Sequence, residues 1–275
     1  MPGLMWPLIS GPICVLIALN LWMHYFYVIT VPPGFADDPP VADSAKSSAQ
    51  SSIFWASKKA PRCGELAGVR WSNELVVTQA GVTKCRKCGQ QRPERAHHCR
   101  ISKRRVNQCV GLHNERHFVM FMAYLVIACI SLSITGFPHV LQALGAGATY
   151  TFDRPHHVPQ IVFILVYILA VVMALAVGIM CGFHLWTVAH GETTVESQDH
   201  DTYRRMTKAR NEPISAHTIY YRKRRNLELF FNVGENGYPL YTLFVPLRIN
   251  PYTDGRAWAR RERYAAHRGD DEGEA

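Results

Sequence analysis

KCRKCGQQRPERAHHCRISKRRVNQCVGLHNERHF, residues 84–118, is the stretch on which the reading of this sequence turns. Cys85 and Cys88 form a C-x2-C pair, the spacing that lets two thiolates at one tight turn share a Zn²⁺ ion. His97, His98, Cys99 and Cys109 follow within about two dozen residues, so soft sulfur and imidazole donors are concentrated as a metal-organised module requires. A scatter of unrelated thiols and surface histidines would not cluster this densely. The stretch is also strongly basic, and apolar sequence begins at its end.

Working outward, the chain has 275 residues and 48% hydrophobic content, and the apolar residues come in blocks. Three blocks, about Leu8–Ile29, Phe118–Gly136 and Ile161–Phe183, carry no charged side chain and are long enough to cross about 30 Å of hydrocarbon as helices rising 1.5 Å per residue. Burying them in a soluble core would need far more polar sequence than remains. No Lys or Arg precedes Lys46, so the first block lacks the positive n-region of a cleaved signal peptide. Trp22, His24, Tyr25, Phe26 and Tyr27 form an aromatic belt near its end.

The net charge of +9 invites a nucleic-acid reading, but its distribution points elsewhere. Lys and Arg number zero in residues 1–29, fifteen in 30–117, one in 118–189 (Arg154) and fourteen in 190–275. The positive-inside rule therefore puts residues 30–117 and the C-terminal tail in the cytosol, and the N-terminus and the 138–160 loop on the lumenal side. A cytosolic, reducing setting argues against a disulfide framework for the eight cysteines. Cys14, Cys129 and Cys181 lie in apolar runs as small buried hydrophobes, and His139, His156 and His157 read as exposed loop histidines.

The fold class expected is a mainly α membrane protein with about three transmembrane helices and a small cytosolic zinc-binding, cysteine-rich module. Five segments follow: a transmembrane helix over 1–30, a flexible linker over 31–57, the module over 58–117, two transmembrane helices joined by a short lumenal loop over 118–189, and a cytosolic tail over 190–275. The linker follows from its Pro, Ala, Ser and Asp content, which cannot bury a core. Val76-Val77-Thr78 reads as a strand leading into the module, with Gly81 at a turn. In the tail, the basic run Arg222–Arg225 reads as a solvated face next to a membrane, the alternative being pairing with phosphates, of anionic lipid head groups or of a bound ligand. The apolar Leu240–Leu247 run lies against the membrane or the module, and Gly269–Ala275 is an acidic, disordered end.

C-x2-C at Cys85 and Cys88, RPERAHHC over 92–99 and NQCVGLHN over 107–114 followed by Phe118 resemble the cysteine-rich domain of the DHHC protein S-acyltransferases. VITVPPG over 28–34 is similar to the segment that follows a transmembrane helix in that family, and Thr193-Thr194-Val195-Glu196 fits its TTxE motif; Asn226 falls in its C-terminal motif. The resemblance implies a multi-pass protein of the endomembrane system that transfers an acyl group from palmitoyl-CoA to protein cysteines. It implies as partners the bilayer, acyl-CoA and the cytosolic face of substrate proteins, and no nucleic acid. It also implies two helices before the Pro-Pro-Gly segment, whereas this sequence has room for only the second.

The resemblance breaks at one place. Between Cys99 and Cys109 this chain has nine residues, Arg100–Gln108, where the family has a segment about twice as long that contains its Asp-His-His-Cys-Pro-Trp box. Ala96-His97-His98-Cys99 stands where the family has a zinc-binding His-Cys pair, and Ala96 replaces the aspartate, so Cys99 reads as a ligand and not a nucleophile. The resemblance gives Cys85, Cys88 and His98 to one structural Zn²⁺ and Cys99 and Cys109 to a second, with Ser102 where a cysteine is expected. Neither set is complete. One tetrahedral site can close, from Cys85, Cys88, one of His97, His98 or Cys99, and Cys109. The family's thiolate nucleophile, its histidine and its aspartate have no counterpart here, and Cys109, a remote candidate, occupies a ligand position. Two functions are therefore open: an S-acyltransferase whose sequence is inactive as written, and a non-catalytic zinc-binding membrane scaffold.

Overall fold

The computed structural model describes residues 2–34, 76–79, 82–84, 91–93, 110–144, 159–194, 197, 223–234, 237–253, 255 and 257–260. Three long helices dominate: α1 (Pro2–Thr30), α2 (Glu115–Ala143) and α3 (Gln160–Ala189). Each holds a stretch long and apolar enough to cross a membrane, and together they make this a mainly helical membrane protein. Hydrocarbon offers backbone amides no water, so a helix, which pairs them internally, is the conformation such sequence takes up. The same rule governs the hydroxyls of α2. Ser131, Ser133 and Thr135 donate to the carbonyls of Ile127, Cys129 and Ser131 at 2.7, 2.8 and 2.8 Å, so none of the three presents an unpaired donor to lipid.

The chain divides into two compact units, Met1–Tyr25 with Val119–Phe183, and Phe26–Phe118 with His184–Ala275. The first unit holds the bodies of the three helices. Val119, Met120, Met122, Tyr124, Ala170 and Cys181 are buried in it, while Leu8, Ile13, Leu19, Trp22, Ile134, Leu165, Leu169 and Ile179 point outward, the inside-out apolar distribution a lipid solvent permits. His24 on α1 stacks on Tyr124 of α2 at 6.0 Å between ring centroids, and Tyr25 meets Phe121 at 5.7 Å. Gly136 lets α2 approach α3 closely: a Cβ there would stand 3.2 Å from Tyr167.

The second unit gathers the helix ends and the polar segments. Strand β1 (Val76–Gln79) pairs antiparallel with β4 (Ala257–Arg260), Val76 opposite Arg260 and Gln79 opposite Ala257. Strand β2 (Val82–Lys84) pairs antiparallel with β3 (Gln91–Pro93), Lys84 opposite Gln91. Helix α4 (Lys223–Phe231) and a 3-10 turn (Leu240–Leu243) are the other elements of the unit among the described residues.

Several expectations need adjustment. The second span, expected to end at Gly136, continues through Pro138 to Ala143. Membrane helices tolerate proline where neighbouring helices, Ser/Thr side chains or a local adjustment of the turn meet the backbone groups it frees. His139 is therefore helical and half-buried, its ring edge-on to Phe163 at 6.2 Å, and is not an exposed loop residue. His156 and His157 lie outside the described residues. Cys181 is buried as expected, Cys129 is half-buried, and Cys14 is exposed on the outer face of α1. The expected strand at Val76–Thr78 is present, and its partner is the C-terminal β4, a pairing across some 180 residues that no local pattern announces. Of the expected linker only residues 31–34 are described, and residues 145–158, expected on the lumenal side, and the acidic end lie outside the described residues.

Candidate functional site

The buried polar side chains of the second unit collect where the three spans end. Asn114, Arg116, His117, Thr187, Asn226, Asn232 and Thr242 are each at most 8% exposed. Polar groups are excluded from water at such a price only when they are bonded, and here their partners are chiefly main-chain carbonyls at element ends.

Helix α1 stops where Pro32 and Pro33 follow Val31, since neither proline can donate a helical hydrogen bond. Its last carbonyls would then be orphans. The Asn114 side chain meets them: Nδ2 donates to Val31 O at 3.2 Å and reaches Val28 O at 3.4 Å, while Oδ1 accepts from the Gly111 amide at 2.8 Å. Asn114 precedes the first residue of α2, so one amide side chain joins the exit of α1 to the entry of α2. Two glycines let the strands of this clasp touch. A Cβ on Gly111 would sit 2.5 Å from Pro33 O, and one on Gly34, at φ 88°, would sit 2.5 Å from the His113 ring. The His113 amide donates to Pro33 O at 3.3 Å.

Arg116 carries the clasp to the C-terminal segment. Its Nε donates to Phe231 O at 3.1 Å, at the end of α4, and its Nη2 to Thr242 O at 3.3 Å, in the 3-10 turn. Both acceptors lie at helix C-termini, where the carbonyls carry excess negative charge, which suits a cation. Among the described residues its Nη1 meets no acceptor. Tyr27 donates its hydroxyl to Pro246 O at 3.2 Å and packs its ring against His117 at 4.9 Å. Nearby, burial pushes the Arg248 guanidinium below its usual range, with Tyr27 acting in the opposite direction.

Asn226 closes the third helix end. Its Nδ2 donates to Ala189 O, the last residue of α3, at 2.8 Å. Gly191, at φ 73°, turns the chain there, and Thr193 and Thr194 follow, half-buried, with Thr193 O accepting from the Ser197 amide at 2.9 Å. Asn232, left-handed at φ 52°, donates to Asn250 O at 2.8 Å and holds the return of the tail.

Of the residues singled out in the sequence, Asn226 bonds the last residue of α3, and Thr193 and Thr194 follow that residue after the Gly191 turn. Cys85, Cys88, His97, His98, Cys99, Ser102, Cys109 and Glu196 lie outside the described residues, and among the described residues no three His, Cys, Asp or Glu side chains converge as a metal site. Lys84 pairs with Gln91 across the β2–β3 ladder, and Cys85 and Cys88 fall among the six residues between them in sequence. The clasp also fixes Val110–Asn114, the chain leaving Cys109. Arg116 and Thr242 were missed in the sequence, and Tyr27 reads there only as part of an aromatic belt. A cation in the first turn of an apolar span was the available signal.

Comparison with known proteins agrees with this architecture. Residues 79–201 match the family model described as DHHC palmitoyltransferase. Palmitoyltransferase ZDHHC16 of Mus musculus is 24% identical over 255 residues, covering 86% of this chain and 59% of the mouse protein. Palmitoyltransferase PFA3 of Yarrowia lipolytica is 36% identical over 140 residues, 45% of this chain and 34% of the relative, and the probable protein S-acyltransferase 16 of Arabidopsis thaliana is 27% identical over 125 residues, 41% of each. The chain is thus similar to the DHHC-type palmitoyltransferases over residues 79–201, just under half of its length. It spans between about a third and three-fifths of the length of these relatives.

Proposed function

We propose that the chain is built as a DHHC-type protein S-acyltransferase, a scaffold for moving an acyl group from palmitoyl-CoA to protein cysteines, and that its own sequence lacks the nucleophile for that step. The observation that supports the assignment is the extent of the family match, which runs from the cysteine-rich stretch through both following spans to the Thr193-Thr194 turn. Basic residues crowd 30–117 and 190–275, which favours a cytosolic module and tail and a multi-pass endomembrane location. The domain plan is the one read from the sequence, a zinc module over 58–117 between one span and two, with the tail from 190.

Cys85 and Cys88, with Cys109 and one of His97, His98 or Cys99, would hold one Zn²⁺, whose contribution is to close the module rather than to react. The Asn114 clasp orients the chain leaving Cys109 into α2, and Asn226 orients the Thr193-Thr194 turn toward the same unit. Acyl transfer requires an available, activated thiolate. Residues 100–108 hold no cysteine, and a zinc-held sulfur at Cys109 is deprotonated but occupied. The spacing between Cys99 and Cys109 favours a second reading as well, a non-catalytic zinc-binding membrane scaffold.

Labelling with an alkyne analogue of palmitoyl-CoA separates them. The chain as written should take no hydroxylamine-sensitive label, and insertion of an Asp-His-His-Cys-Pro-Trp segment between Ser102 and Val106 should restore it with zinc content retained. A robust label on the unaltered chain that vanishes in Cys109→Ser, zinc unchanged, would make Cys109 the nucleophile and overturn the inactive assignment.

A further inference from the structure

Between α4 and β4 the chain exposes large apolar side chains at a density unusual for a solvent-facing turn. Leu240, Tyr241, Phe244 and Val245 are 63, 59, 62 and 40% exposed, whereas Thr242 between them is buried, its hydroxyl donating to Pro239 O at 2.8 Å. The turn is thus fixed by its polar member while its apolar members face out.

Its depth is fixed as well. Arg116 is the second residue of α2 and donates to Thr242 O; Tyr27 stands three residues before the end of α1 and donates to Pro246 O. Both anchors therefore grip the run within about one helical turn, roughly 5 Å, of the ends of two membrane spans. The polar layer on each side of a bilayer is about 5–7 Å thick, the difference between a core near 30 Å and a total of 40–45 Å shared by two faces. A segment tethered at both points lies within that layer. Other helix ends of the same unit have the composition of the layer: Trp186 is exposed in the last turns of α3, and Lys223 and Arg224 are exposed at the start of α4.

We propose that Leu240–Val245 is an interfacial wedge, seated in the boundary between head groups and acyl chains of the bilayer that the three helices enter, with Leu240, Tyr241 and Phe244 against lipid. The partner is the phospholipid surface itself. Apolar contact supplies the insertion, the Arg116 and Tyr27 bonds set its depth, and the exposed cations of α4 face the phosphate layer. This wedge adds to the three spans of the described residues a membrane contact that is independent of whether the protein transfers acyl groups.

The test uses the full chain reconstituted in phosphatidylcholine vesicles, with a fluorescent noncanonical amino acid in place of Tyr241 or Phe244 and, as control, in place of Arg224. Leu240 offers a third labelling position should an aromatic site not tolerate the probe. The emission at 241, 244 or 240 should shift to the blue and be lost when the lipids are replaced by acyl-chain-brominated phosphatidylcholine, while the probe at 224 keeps its aqueous emission. Aqueous emission at all positions would overturn the wedge. So would a blue shift without bromolipid quenching, because a protein surface would then cover the run.

Discussion

Asn114→Ala removes a single amide that serves both the end of α1 and the start of α2. Its two shorter bonds, 2.8 Å from the Gly111 amide and 3.2 Å to Val31 O, are each worth about 1 kcal/mol net, and the 3.4 Å approach to Val28 O adds little. Asn114 is fully buried, so the abandoned Val31 carbonyl has no water to turn to, and the loss should reach about 2–3 kcal/mol. Asn114→Asp keeps the acceptor for Gly111 but points a carboxylate at the Val28 and Val31 carbonyls, and should be worse than alanine at neutral pH. The new carboxyl has its folded-state pKa raised, since only its protonated form can donate to those carbonyls. Below its unfolded value both states are protonated and the penalty is absent; it grows as the pH rises through that value and is complete above the folded one. Thermal unfolding of the detergent-solubilised protein, followed from acid to neutral pH, should show the Asp variant above or level with the Ala variant in acid and below it near neutrality. An Asp variant as stable as the unaltered chain at neutral pH would refute the clasp.

Gly111→Ala should destabilise the second unit because its Cβ meets the Pro33 backbone, whereas Gly182→Ala, with nothing within 4 Å, should change thermal stability by less than about 0.5 kcal/mol; equal effects would mean the clasp is loose. Asn226→Ala should strip the Ala189 carbonyl of its partner, cost about 1–2 kcal/mol, and bring faster protease cleavage near the Thr193-Thr194 turn, read by mass spectrometry of limited digests. Metal analysis of the purified chain should return about one zinc per chain, since one Cys/His set closes; two would assign a ligand role to Ser102 or a further histidine. Protease treatment of sealed microsomes should cut within 58–117 and spare 138–160, and the reverse pattern would invert the topology.

Much of the architecture was legible because each feature is local. Twenty or so uncharged apolar residues must be helical in hydrocarbon whatever surrounds them, so the three spans could be read from composition alone, with their ends short by a few residues at Gly136 and Phe183 because helices continue past the hydrocarbon edge. The C-x2-C pair stands out by spacing, the Thr193–Glu196 motif only by resemblance to the family's TTxE motif, and Val76–Thr78 by its β-branched residues. What the sequence could not yield is the set of long-range partners. That Arg116 would reach Phe231 and Thr242, Tyr27 would reach Pro246, and β1 would pair with β4 depends on segments more than a hundred residues apart meeting. Their acceptors are backbone carbonyls, which every residue carries, so no side-chain pattern marks them. A span declares itself by the solvent it needs; a clasp exists only once the chain has brought its helix ends together.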